Sequence, residues 1–300
     1  VTRFCDEVTV LRKGRFAGSG KVSELSTAQM AEMMVGAEPP SASVAREDNV
    51  AQALVLDVKK LEADDDLGLP VLSGVSFSVN AGEIVGIAGV SGNGQDELVE
   101  VLGGQRPLRS GSVTVGGKPY GATRGEIREQ GVRLLPEAPL RNACVSNMSV
   151  AENIGFRNFD VSPFTLWKWF VRHTALRRHA STAISEYRIK TPSPDERIGN
   201  LSGGNVQRAV LARELTGEVR LLIVANPCFG LDFAAVAEIR TRIMNARNGG
   251  AAVLLVSADL DEVFALADRI LVMSEGSIVH ETSAARADLQ EIGRHMAGHG

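Results

Sequence analysis

The sequence predicts an α/β fold: a mostly parallel sheet flanked by helices, with an antiparallel β lead-in ahead of it and a helical subdomain inserted into it. Three observations predict this. Short apolar runs rich in β-branched residues recur at 83–89, 133–137, 220–226 and 251–257, spaced by stretches of helical period. A glycine-rich turn, GVSGNGQD, follows the first run and opens the helical pattern ELVEVLGG, the strand, loop and helix order of a phosphate-cradling loop. Residues from about 138 to 200 then interrupt the alternation with a mostly helical stretch.

Taken in order, the chain begins with a segment that recurs at its end. DEVTVLRKGRF (6–16) lies over DRILVMSEGSI (268–278) without a gap, an offset of 262 that also pairs Val1 with Val263 and the MVG of 34–36 with the MAG of 296–298. A tandem duplication explains this. Residues 1–40 are then expected to be the tail of a first copy, residues 41–52 an exposed linker overlapping the stretch EPPSASVAREDN (38–49), and residues 53–300 a complete second copy. The chain opens on Val1 and reads as a fragment. ALVLDVKKL and VLSGVSFSV alternate apolar and polar residues as half-buried antiparallel strands do, joined by the turn-rich DDDLGLP. In the insertion, FTLWKWFVRHTALRRHASTAISEYRI reads as helical, with Trp167, Trp169 and Phe170 in the subdomain core and partner contact as the alternative.

Composition narrows the function classes. An apolar fraction of 44% and a net charge of −4 describe a globular chain without global attraction to nucleic acid. Cys5, Cys144 and Cys228 have no metal-ligand or disulfide spacing, which fits a reducing compartment. Of the five histidines only His295 and His299 have the helical i, i+4 spacing of a metal pair, at a glycine-rich terminus, so all five read as surface or core residues. No apolar run reaches the 18 or so residues that span a bilayer, so any membrane association is expected to be peripheral.

Two motifs carry chemistry. Gly89, Gly92 and Gly94 keep the geometry in which successive backbone N–H groups and a helix N-terminus face an anion. Gln95, however, stands where that loop has lysine, and Asp96 where it has a magnesium-binding hydroxyl. Losing the lysine removes roughly 3 kcal/mol per charge pair at about 5 Å and an effective dielectric of about 20, and Asp96 adds repulsion. The plainer role for Asp96 is to complement the helix N-terminus, about 0.3–1 kcal/mol. The second motif, LSGGNVQRAVLARE (201–214), places Ser202, Gly203 and Gly204 at another helix start.

With GVSGNGQD, LSGGN, LLIVANP, GLD at 230–232 and VSADLDEV in this order, the chain resembles the ATP-binding-cassette ATPases, the P-loop NTPase fold of ABC transporters. GxxGNGQ, the PE of 136–137, SVAENI and LSGGN resemble the second cassette of tandem importers for simple sugars or nucleosides. The resemblance implies ATP and Mg2+ as cofactors. It implies nucleotide contacts from Gly89, Gly92, Asn93, Gly94, Gln95, Asp96, Glu137, Ser202, Gly203, Gly204 and Asp232, with Asp96 and Glu137 as possible magnesium ligands.

The departures qualify the mechanism. Ala225 and Asn226 occupy the family's magnesium aspartate and general-base glutamate, Ala258 its γ-phosphate-sensing histidine, and Glu137 its glutamine. No catalytic residue is assigned, since neither Asn226 nor Ala258 is a general base. No aromatic residue between Ala53 and Val75 is available to stack on adenine. Because Ser202, Gly203, Gly204 and Asp232 match the family while Gln95, Asp96, Ala225, Asn226 and Ala258 do not, the signature is expected to act in trans on ATP held by the first cassette. The implied partners are that cassette, transmembrane permease subunits met by the helical insertion and, indirectly, a substrate-binding protein. No nucleic acid is implied. The implied place is the cytoplasmic face of the cell membrane, and the alternatives are a soluble ABC-type ATPase or a non-hydrolytic regulatory cassette.

Overall fold

A computed structural model describes residues 5–12, 15–25, 29, 33, 44–47, 53–167 and 169–297. The first element is an antiparallel hairpin, β1 (Glu7–Arg12) with β2 (Arg15–Lys21). The predicted lead-in is present: β3 (Leu54–Asp64) and β4 (Pro70–Asn80) pair antiparallel. Leu56, Val58, Leu61, Val75 and Val79 along them are buried, the alternation that made them legible. β5 (Ile84–Ala88) then runs through the glycine loop into α1 (Gln95–Leu102). β6 (Ser110–Val115) and β7 (Lys118–Pro119) return to extend the antiparallel sheet to the order β4-β3-β6-β7. A short helix, α2 (Arg124–Glu129), leads to β8 (Val132–Leu135).

The insertion is only partly helical. α3 (Pro139–Asn142) precedes α4 (Val150–Gly155), which opens on a capping box in which Ser149 and Glu152 satisfy each other's backbone N–H groups. FTLWKWFV, expected to be helical, instead forms a miniature hairpin, β9 (Thr165–Leu166) with β10 (Phe170–Val171), before α5 (His173–Glu186). Its aromatics are not subdomain core: Trp167, Trp169 and Phe170 are 77%, 86% and 63% exposed. The core is supplied by Val150 and Ile154 of α4 with Leu176, Ala180 and Ala183 of α5. A short apolar run fits strand and helix equally well by periodicity, and here the neighbouring helices already fill each other's faces.

The second half builds the main sheet. α6 (Gly203–Glu214), β11 (Leu221–Ala225), α7 (Phe233–Asn248), β12 (Ala252–Val256), α8 (Leu260–Leu266), β13 (Arg269–Ser274), β14 (Ser277–Ser283) and α9 (Leu289–Met296) follow in that order. The strands lie as β14-β13-β5-β12-β11-β8, parallel except for the edge strand β14. Both faces are covered. Ile84, Leu222, Val224, Val253, Leu255 and Val272 join the helical side, whereas Val85, Ile87, Ile223, Leu254, Val256 and Leu271 join the core shared with α1 and the antiparallel sheet. Double-sided burial is why these strands read as unbroken apolar runs. Among the described residues, no helix is long and apolar enough to cross a membrane.

Hairpins β1–β2 and β13–β14 have the same strand bounds and the same residue pairs at an offset of 262, and each shifts register at one equivalent point, Val10/Leu11 and Val272/Met273. The continuation of the repeat to Val1 and 34–36 lies outside the described residues. Within the expected linker, Ala45, Arg46 and Glu47 are exposed but anchored. Arg46 donates to the carbonyls of Leu266 and Ala267 and pairs with Asp268 at 3.1 Å, and Asn248 Nδ2 donates to the Ala45 carbonyl. His280 and His295, expected as surface or core residues, are half-buried and stack with ring centroids 4.3 Å apart; His299 lies outside the described residues.

Candidate functional site

The carboxyl ends of parallel strands are where an open α/β sheet leaves backbone and loop groups free to meet a ligand. Here the loops after β5, β8, β11 and β12 converge there and carry Gly89–Asp96, Glu137, Asn226 and Ala258. The loop after β5 has the backbone its glycines promised. Gly92 and Gly94 take φ of 88° and 103°, and Gly94 forms the N-cap of α1.

Gln95 occupies that loop. Its side chain is 7% exposed and folds back beneath Gly89, so closely that a Cβ at Gly89 would lie 2.1 Å from Gln95 Nε2. Nε2 donates to the Val90 carbonyl at 3.1 Å, and Oε1 accepts the Asn93 backbone N–H at 3.1 Å. A neutral amide thus takes one of the loop donors that an anion would use. Asn93 braces the loop from outside: its Nδ2 donates to the Val90 carbonyl, while its Oδ1 and carbonyl accept from Glu275 N and Gly276 N in the β13–β14 turn. Sequence reasoning missed Val90, Glu275 and Gly276, because backbone partners have no side-chain signature and the turn read only as part of the repeat.

Asp96, in the first turn of α1, is exposed. The N-terminus of α1 favours its charged form, while its surroundings oppose it. Its pKa is raised, first by desolvation and then by the carboxylates of Glu137, Glu97 and Glu100. Across the mouth, Asn226 joins three of the altered positions. Its Nδ2 donates to Glu137 Oε2 at 3.0 Å and its Oδ1 accepts from Ala258 N at 2.8 Å. Asn226 holds this pose at φ 41°, a left-handed conformation that asparagine tolerates better than most residues. Ala225 is buried in the sheet and presents no polar group.

These residues match a phosphate in backbone shape but not in charge. The loop has no cation of its own, Gln95 consumes one donor, and Asp96 with Glu137 crowds carboxylates at the mouth. Among Gln95, Asp96, Ala225, Asn226 and Ala258 only Asp96 ionises, and it adds negative charge. Ala225, Asn226 and Ala258 supply no general base.

The signature segment is constructed differently. Ser202 stands at the N-cap position of α6 without a side-chain bond to its backbone, and its Oγ accepts from Asn205 Nδ2 at 2.8 Å. A Cβ at Gly203 would meet nothing within 4 Å, so the first turn of α6 is open to an approaching group. The other side of α6 is fixed: Gln207, 3% exposed, donates to the Pro227 carbonyl just past Asn226. Asp232 caps α7, accepting from Ala235 N at 2.8 Å. Among the described residues, Ser202, Gly203 and Gly204 share no hydrogen bond with the loop of Gly89–Asp96.

Residues 72–228 match the model of the family described as ABC transporter. A glucose import ATP-binding protein of Haloferax volcanii is 39% identical over 298 residues, 98% of this chain and 54% of the relative. A guanosine import ATP-binding protein of Bacillus subtilis is 37% identical over 298 residues, 98% of this chain and 58% of the relative. The chain therefore spans little more than half the length of these curated relatives. Among solved structures, an ATP-binding subunit of an ABC transporter aligns at a TM-score of 0.66 and 19% identity, covering 81% of this chain and 99% of that one, a likeness of fold.

Proposed function

The chain belongs to the ABC transporter family, and from that premise we propose that it is the C-terminal half of an importer's ATP-binding subunit, coupling ATP binding and hydrolysis to uptake of a simple sugar or nucleoside. The substrate class is supported by the names of the relatives, which import glucose and guanosine. The half is supported by the share of those relatives that the chain spans and by the two hairpins that repeat at an offset of 262. On this reading residues 1–40 end a first cassette, 41–52 link, and 53–300 form the second. The partners are that first cassette, permease subunits at the cytoplasmic face of the membrane and, through them, a substrate-binding protein.

One contrast carries the mechanistic part: Gln95 fills the loop under Gly89, while the space beside Gly203 is open. This chain's loop then acts in structure more than in turnover, with Asp96 and Glu137 as its only candidate oxygen ligands for Mg2+. Ser202, Gly203, Gly204 and the N-terminal N–H groups of α6 serve ATP bound by the first cassette, holding the γ-phosphate in place where charge stabilisation dominates the barrier. Asp232 fixes the start of α7 beside that contact.

Reconstitution of the full-length subunit with its permease tests the assignment. ATPase activity is expected to vanish on Gly203→Asp, which puts a carboxylate against a phosphate, and largely to persist on Gln95→Ala. The reverse result would overturn it. The 300-residue chain alone is expected to show negligible hydrolysis, and a rate of order 1 per second would also sink the reading.

A further inference from the structure

The last helix covers one end of the main sheet. α9 buries Ile292 in the core next to β13 and β14. Helical spacing sets Glu291 and His295, four residues apart, on one side of α9. Edge strand β14 brings His280 to the same place, its imidazole stacked on that of His295 at 4.3 Å and 9°. One ligand atom from each of His280, Glu291 and His295 lies within 4.8 Å of the others, and all three residues are half-buried. His280 Nε2 is closed to solvent and has no hydrogen-bond partner. A buried ring nitrogen left unpaired is unfavourable, and its presence calls for an explanation.

Two imidazoles and one carboxylate form a donor set that suits borderline divalent metals, with a fourth position left for water. Hard cations such as Mg2+ prefer all-oxygen sites and keep their waters. We propose that His280, Glu291 and His295 bind a Zn2+-class transition-metal ion that clips α9 to β14. Binding needs the parallel rings to turn until their nitrogens converge, and the partial exposure of both side chains leaves room for that movement. The clip has a structural consequence, because the β13–β14 turn that it steadies holds Asn93 of the glycine loop through Glu275 N and Gly276 N. The site is independent of the transport reading above. Spacing reveals only the Glu291–His295 pair, since His280 joins them only when α9 folds back on the sheet.

The test uses the purified, untagged protein after dialysis against a chelator. Titration with Co2+ is expected to yield one equivalent bound with the visible absorption of a four-coordinate site, displaced by Zn2+ and not by Mg2+, and Zn2+ is expected to raise Tm by several degrees. Apparent affinity should fall at least about 100-fold in His280→Ala and His295→Ala, and about 10-fold in Glu291→Gln, which keeps the shape of the side chain. His299→Ala should bind as the parent does. The proposal is overturned if no saturable Co2+ spectrum forms, if His280→Ala and His295→Ala both bind Co2+ with the parent's affinity, or if His299→Ala is the variant that loses the metal.

Discussion

Asn226 Nδ2 donates to Glu137 Oε2 at 3.0 Å, joining residues 89 positions apart, while the same side chain accepts from Ala258 N. Asn226 is thus a structural tie between the loops after β8, β11 and β12. Asn226→Ala is expected to cost about 1–3 kcal/mol, from an unsatisfied partner and a left-handed backbone. Asn226→Asp, which sets two carboxylates against each other, is expected to cost more at neutral pH than in acid. Thermal unfolding at two pH values checks this, and equal losses for both variants at both pH values would contradict it.

Gln95→Lys is expected to strengthen ATP binding at this loop by tenfold or more, because about 1.4 kcal/mol suffices for that and a restored cation supplies roughly 3 kcal/mol before Asp96 is counted. Hydrolysis by the chain alone should stay absent, since Ala225, Asn226 and Ala258 are unchanged. Equilibrium binding of a fluorescent ATP analogue measures the effect. An unchanged affinity would mean that the glycine loop, not the missing charge, limits binding.

The raised pKa of Asp96 has a stability sign. A carboxyl whose pKa is higher in the folded state binds its proton more tightly there, so folding gains stability as pH falls through the folded pKa and loses it once the group is ionised. Asp96→Asn is therefore expected to raise Tm at neutral pH and to make little difference below the ordinary aspartate range. A variant less stable than the parent at pH 7 would refute this.

Glu214 is 1% exposed and pairs with both Arg213, at 2.7 Å, and Arg157. Arg213 also donates to the carbonyls of Ala143 and Asn153, which fastens α6 to the insertion. Glu214→Ala leaves Arg213 buried without its counter-ion, an expected loss of about 3–5 kcal/mol. Hydrogen exchange should show α4 and α6 losing protection together. A loss below about 1 kcal/mol would show that Arg213 is satisfied by the carbonyls alone.

Trp167 and Trp169 are the two tryptophans of the chain, and both project from the β9–β10 hairpin. Intrinsic emission of the folded chain is therefore expected to resemble that of free tryptophan, to be quenched readily by acrylamide and to change little on unfolding. A blue shift on adding permease vesicles would place the hairpin at that contact. A strongly blue-shifted emission from the isolated chain would contradict the exposed hairpin.

What was legible in the sequence was local or periodic. Runs such as LLIVA and AVLLV declared a two-sided sheet because each is buried on both faces. The absence of a cation at Gln95 and of a base at Asn226 was equally plain, because residue identity alone decides which charges exist. FTLWKWFV was not legible, since an apolar segment that finds no cavity to fill looks the same on paper as one that does.

The sequence by itself determined the antiparallel lead-in, the apolar strands of the main sheet, the glycine loop and the lack of a lysine in it, all properties of residue type and spacing within a few turns. Only the tertiary structure decided that the Gln95 amide lies under Gly89, that Asn226 bridges Glu137 and Ala258, and that His280 stacks on His295 beside Glu291. The physical reason is that these contacts join residues far apart in the chain or depend on which rotamer the surrounding packing allows, and neither quantity is written in any short stretch of sequence.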